Sequence, residues 1–134
     1  MKVATSPAFL EGVANHPRVR PYIGPGTDEF RAGDSWDRTV AFECESGGVV
    51  FIREAPCTYS VHLVFLPKTK DPAGKLREAM RRMFKTDCRE VVGITPSKYR
   101  HVRKVAVAAG LKHIKDEAGF SHYALTAKQF TDEG

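Results

Sequence analysis

Between Cys57 and Pro67 the sequence reads CTYSVHLVFLP, and the four residues before the proline are all apolar. Tyr59, Val61, Leu63 and Phe65 alternate with Ser60, His62, Val64 and Leu66, and both sets become apolar towards the end of the run. A strand with one face in water keeps one of its two sets polar, whereas a strand apolar on both faces is covered on both. The run from Cys57 to Leu66 is therefore a central strand. It leads through PKTKDPAGK into LREAMRRMF, a helix with arginines on its outer face. A strand running into a positively charged helix start is a junction suited to an anion, because the first helical N–H groups lack internal partners and the helix dipole favours negative charge there.

The neighbouring segments are read around that strand. TVAFECE and VVFIREA flank SGG as a hairpin, which with the central strand makes three antiparallel strands. Pro72 to Lys85 carries Leu76, Ala79, Met80, Met83 and Phe84 at spacings of three and four, a helix with one apolar stripe belonging to the core. EVVGIT is the next strand. Thr95 then reads as an N-cap with Pro96 at the first helical position, and Val102, Val105, Ala106 and Ala109 form a second stripe that stops at Gly110. LKHIKD and SHYALTAKQF close the chain as two strands around EAG. At the other end, Ser6 to Asn15 is a short helix with Pro7 at its start and Phe9, Leu10 and Val13 in its stripe. HPRVRPYIGPGTDEFRAGDSWD is too rich in Pro and Gly for one regular element; it reads as an irregular segment with a helical turn near Asp28 to Arg31, of the kind that often forms a binding element. The class is α+β, with helices packed on a mixed sheet, and residues 1–134 read as a single domain.

Composition narrows the function classes. The chain is 42% hydrophobic and 28% charged, enough for a core and ordinary for a soluble surface. Nothing approaches the roughly 20 apolar residues of a membrane span, and no secretory signal is visible. Cys44, Cys57 and Cys88 are odd in number and unpaired in spacing, which points to a reducing, cytoplasmic setting and to buried thiols rather than disulfides or a metal site. The formal charge of +5 is concentrated, with Lys68, Lys70, Lys75, Arg77, Arg81, Arg82, Lys85 and Arg89 in one stretch. Such a stretch suits an anionic partner: a nucleotide cofactor, nucleic acid or an acidic protein. Nucleic acid ranks below the others because aromatic residues are not interleaved with the charges.

The order of elements and three motifs resemble the GNAT family of N-acetyltransferases, and within it small GNAT-like proteins of tailed bacteriophages. ANHPRVRPYIG (Ala14 to Gly24) resembles the opening segment of those proteins. VHLVFLP with LREAMRRMF resembles their fourth strand and following helix, and TDCREVVGITPSKYRHVRKVAVAAGLK the fifth strand, last helix and turn. The resemblance implies a GNAT-like, mostly antiparallel sheet with helices on both faces. It also implies acetyl-CoA held in a wedge between the fourth and fifth strands. The backbone of Val64, Phe65 and Leu66 would pair with the pantetheine chain. The loop Lys68 to Gly74, with Lys68, Lys70, Ala73, Gly74 and Lys75, would hold the pyrophosphate, and Pro17 to Phe30 would lie near an amine acceptor. No metal is implied.

Against the family pattern Q/R-x-x-G-x-G/A the loop has one glycine, Gly74, and an Asp71-Pro72 pair. The family's helix asparagine falls on Tyr99, and the tyrosine that often protonates the leaving thiolate falls on Ala106. An amine nucleophile must lose a proton, and His62 on the central strand is the candidate base, with Glu43 and Glu54 on neighbouring strands. His16, His101, His113 and His122 read as surface residues. Two functions follow. One is an acetyl-CoA-dependent N-acetyltransferase in the cytoplasm of a host cell. The other is a catalytically inactive GNAT-fold phage protein that binds other phage proteins or is part of the virion.

Overall fold

The computed structural model describes residues 1–23 and 29–132. Its centre is one sheet of seven strands: β1 (Lys2–Val3), β2 (Thr39–Cys44), β3 (Gly47–Ala55), β4 (Thr58–Phe65), β5 (Glu90–Pro96), β6 (Lys112–Glu117) and β7 (Phe120–Thr126). Their spatial order is β1-β2-β3-β4-β5-β7-β6, so β4 is the middle strand, as its sequence requires. Every pairing is antiparallel except that of β4 with β5. The result is a mixed, mostly antiparallel α+β sheet.

Among the described residues four α-helices cover it: α1 (Ala8–Ala14), α2 (Pro72–Met83), α3 (Arg100–Ala108) and α4 (Ala127–Asp132). Leu10, Val13 and Ala14 of α1 pack with Ala41, Val50 and Val64 on one face of the sheet. Leu76, Ala79, Met80 and Met83 of α2, Ala106 of α3 and Phe130 of α4 pack with Phe42, Val49, Phe51, Tyr59 and Val91 on the other. Successive strand residues enter opposite clusters, Val49 one and Val50 the other, which is the period-two alternation of a sheet buried on both sides. No helix among the described residues is long and apolar enough to cross a membrane.

Several boundaries differ from the sequence reading, each for a local reason. Thr95 and Pro96 do not cap a helix; they finish β5, paired with Ser121 and Phe120, and α3 begins at Arg100 after Tyr99. The final strand stops at Thr126, because Thr126 and Gln129 form a capping box that starts α4. Gln129 N–H donates to Thr126 Oγ1 at 3.1 Å, and Thr126 N–H donates to Gln129 Oε1 at 2.9 Å. The helical turn placed at Asp28 to Arg31 is instead a 3₁₀ stretch at Ala32–Arg38, with another at Arg20–Tyr22; Asp28 lies outside the described residues. The two-residue β1, held by Lys2–Glu43 and Lys2↔Glu43 pairing, is too short to show in the sequence. Of the three thiols only Cys88 is buried; Cys44 is half-buried and Cys57 exposed in the β3–β4 turn. Burial pushes the Cys88 thiol up to about 11, so it is an unreactive core group.

At the β2–β3 turn a residue larger than glycine has no room. A Cβ on Gly47, whose φ is +132°, would lie 1.9 Å from the carbonyl oxygen of Val64. α4 matters out of proportion to its length, since the Phe130 ring packs at a tilt against that of Phe84 (centroids 5.3 Å apart) and lies under the Arg77 guanidinium at 4.6 Å. Phe130→Ala is expected to lower the free energy of unfolding by about 3 kcal/mol, measured by urea denaturation.

Candidate functional site

β4 and β5 are hydrogen-bonded neighbours for three residue pairs only: Thr58↔Glu90, Tyr59↔Val91 and Ser60↔Val92. Beyond them the strands part. β4 continues to Phe65 beside β3, and β5 continues to Pro96 beside β7. Among the described residues the β4 edge from Val61 to Phe65 that faces β5 thus has no strand partner, and such an edge is a template for an extended ligand with amide groups.

A cavity of about 80 Å³ lies in the opening. Val61, His62 and Leu63 bound it from β4, Gly93, Ile94 and Thr95 from β5, and Val102 and Ala106 from α3. It is far below the roughly 300–1,000 Å³ of a pocket for a whole drug-sized ligand, so it has room for only the end of one. A second hollow of about 190 Å³ continues along β4 towards the β4–α2 loop, sharing Tyr22, Leu63 and Val102 with the first and adding Phe65, Leu66, Lys68 and Thr69. A third, of about 370 Å³, opens on the α1 side between His62, Val92, Ile94, Ile114 and His122. His62 and Ile94 belong to both the first and the third.

His62 heads a short polar chain. Its Nε2 is 3.1 Å from Ser60 Oγ, and Ser60 Oγ donates to Glu54 Oε1 at 2.7 Å. Because the carboxylate takes the only hydroxyl proton, Ser60 accepts from His62, which places the imidazole proton on Nε2 and the lone pair on Nδ1. Burial pushes the His62 imidazole below its ordinary value, opposed by a smaller upward pull from the Glu54 charge. A neutral imidazole with a free ring nitrogen is a proton acceptor at pH 7.

The β4–α2 loop is tightly built. Lys68 (φ +67°) and Asp71 (φ +48°) both adopt the left-handed conformation, unusual for residues with a side chain. Thr69 Oγ1 donates to the Leu66 carbonyl at 2.6 Å, and Lys75 Nζ to the carbonyl of Lys70. Asp71 is the N-cap of α2: its carboxylate accepts the Gly74 N–H at 3.0 Å. A Cβ on Gly74 would fall 2.1 Å from that carboxylate, so the glycine serves the cap.

The residues singled out in the sequence are therefore distributed as follows. Phe65, Leu66 and Lys68 line the second hollow, and His62 sits where the first meets the third. The Val64 side chain is wholly buried on the α1 side, leaving only its backbone near the gap. Lys70 is exposed, Ala73 packs against the core, and Gly74 is engaged by Asp71. Tyr99 lies outside the hollows as the N-cap of α3, its ring 4.6 Å from that of Tyr22, which does line two of them. Missed altogether was Thr95, which lines the first cavity. Its misassignment as a helix cap hid it. Glu43 pairs with Lys2 at the far edge of the sheet and has no part here.

No protein-family model matches the sequence, and no curated protein matches it. Solved structures do match in three dimensions. A GNAT-family acetyltransferase from Bacillus anthracis superposes with a TM-score of 0.66 at 16% identity, over 89% of this chain and 87% of that one. Spermidine N-acetyltransferase from Vibrio cholerae, in complex with CoA and spermine, gives 0.70 at 10% identity over 92% and 91%. An aminoglycoside acetyltransferase in complex with coenzyme A and kanamycin gives 0.71 at 10% identity over 98% and 97%. The fold is the GNAT fold.

Protonating a histidine whose pKa is depressed costs the folded state more than the unfolded one, so the contribution of His62 to stability is complete above about pH 6.5 and is lost as pH falls from there towards its folded value. His62→Gln is expected to flatten that part of the stability profile, read as unfolding midpoints between pH 5 and 8.

Proposed function

We propose that the chain is an N-acetyltransferase that carries an acetyl group from acetyl-CoA to an amine. The observation that carries this reading is the early parting of β4 from β5, which leaves an unpaired backbone edge beside a cavity with a neutral histidine at its mouth. The fit to acetyl-CoA is good along β4. The unpaired edge and the apolar side chains Leu63, Phe65 and Leu66 suit an extended pantetheine, and the cavity suits an acetyl group. At the loop the fit is contested, because Asp71 occupies the Gly74 amide that a phosphate would use, while Lys68, which lines the second hollow, offers a cation from the same loop.

Acetyl-CoA supplies an acyl group activated as a thioester. The chain does the rest. The β4 edge aligns the cofactor, Leu63, Val102 and Ala106 keep water from its end, and His62 Nδ1 removes the proton from the attacking amine. Ser60 and Glu54 hold the imidazole and steady its charge once it is protonated. The amine enters from the α1 side through the hollow that shares His62 and Ile94 with the cofactor cavity. Spermine and kanamycin, found with the two similar enzymes, are amines, which supports an acceptor of that class.

A second reading rests on Asp71, Ala106 and Tyr99, which stand where the GNAT pattern has a phosphate-binding loop, a tyrosine and an asparagine: a GNAT-fold phage protein without catalysis, binding other proteins or forming part of the virion. Titration with acetyl-CoA separates the two. Cofactor at 100 times its dissociation constant stabilises the first by about 2.7 kcal/mol, whereas no thermal shift at millimolar cofactor leaves the second. On the first reading His62→Gln is expected to lower kcat by about 10²–10⁴-fold, with the acetyl-CoA dissociation constant changed by less than about threefold. Asp71→Asn keeps a capping acceptor and removes a negative charge, so acetyl-CoA is expected to bind roughly three to ten times more tightly at low salt, measured by calorimetry; unchanged affinity would place the phosphates elsewhere.

A further inference from the structure

Thr95 is 6% exposed, and its Oγ1 is fully buried without a hydrogen-bond partner among the described residues. The hydroxyl facing it across the ladder makes no bond to it and has no proton left to offer. Ser121, paired with Thr95, gives its proton to Asp116 at 2.6 Å and so accepts from Ser97 at 2.7 Å. A buried hydroxyl left unpaired destabilises a fold, and valine would fill the same space on a β-strand without that cost. Thr95 borders the cavity between β4 and β5, whose lining also includes Val102, Ala106 and Leu111. His62 and Tyr123 also line it, but His62 Nε2 is bonded to Ser60 and the Tyr123 hydroxyl is engaged by Arg103, whereas the buried Thr95 hydroxyl has no partner among the described residues, and α3 presents only Val102 and Ala106 there.

We propose that Thr95 is the side chain that faces the sulfur of the acyl thioester and donates its hydroxyl proton in a hydrogen bond to the thiolate as it leaves. This rests on the acetyltransferase reading given above. The amine nitrogen forms a bond to the acyl carbon and its proton passes to His62 Nδ1. The carbon–sulfur bond breaks, and its electron pair stays on sulfur. Thr95 keeps its own proton throughout and stabilises that charge until solvent protonates the sulfur. The same hydrogen bond favours bound CoA in its thiolate form, which gives the assignment a readout separate from turnover.

The test compares wild type, Thr95→Val and Thr95→Ser. CoA affinity is measured by calorimetry at pH values on either side of the pKa of the free CoA thiol, titrated in parallel, together with the ultraviolet absorbance of the bound thiolate. In the wild type the bound thiol is expected to titrate below its free value, and Thr95→Ser should preserve this. Thr95→Val should lose it, with affinity for the thiolate form falling roughly ten- to hundredfold while the melting temperature of the ligand-free protein stays level or rises. Equal thiolate binding by wild type and Thr95→Val overturns the role of Thr95 but leaves the acetyltransferase reading intact. A lower melting temperature for the ligand-free valine variant shows that the hydroxyl has an internal partner and also overturns it. Failure of the wild type to bind CoA at all removes both readings together.

Discussion

The ladder of three residue pairs between β4 and β5 is the interaction on which the rest of this molecule depends. On one side of it β4 is fixed by pairing with β3 from Thr58 to Phe65, and on the other β5 is fixed by pairing with β7 along its whole length. Each half-sheet is antiparallel and covered on its inner face by the core that α2 and α3 share. The two halves are therefore stiff, and the natural twist between strands has one place to be relieved, the end of the parallel ladder. A longer ladder would close the cavity; a shorter one would leave Tyr59 and Val91, both in the core, without a continuous sheet beneath them.

The loop that follows β4 has two physical roles that compete. A helix start needs its N–H groups satisfied, and Asp71 does this for α2 with a charged side chain. The same N–H groups are what an anion would bind, and a carboxylate already there opposes it. Lys68 and Lys70 restore some positive potential, but Lys75 is turned onto the carbonyl of Lys70 and points along the loop. The outcome is an α2 that is well capped in the absence of a ligand, with anion binding weakened in exchange.

Much of this was legible in the sequence because it depends on periodicity. The two-sided apolar end of β4, the stripe Leu76, Ala79, Met80 and Met83, and the stop at Gly110 (φ +107°) all follow from repeats of two or of three and four. Thr95-Pro96 misled because a capping residue before proline looks the same whether a helix begins there or a strand ends there; the tertiary pairing with Ser121 and Phe120 decided it. The capping box at Thr126 was readable as TAKQ, but the run of alternating residues before it carried the strand too far. The parting of β4 from β5 left no local trace, since strand separation is set by partners distant in the chain. The relay from His62 through Ser60 to Glu54 was half visible, as alternate residues of one strand, but its third member needed the register of β3 against β4.

Departures from local rules are concentrated around that opening. Left-handed backbone at Cys57 and Ala118 belongs to the tight turns of two hairpins, where geometry alone accounts for it. At Lys68 and Asp71 it lies in a loop between a strand and a helix, which a looser connection could span without strain. The unpartnered Thr95 hydroxyl, the unpaired β4 edge and the half-buried His62 lie within the same wedge. Consistent folds avoid such features unless something else requires them, and where they gather a site is the economical explanation. The core below, with Leu76, Met80, Met83 and Leu125 packed and no polar group among them, shows that the chain can satisfy those rules where nothing is asked of it but stability.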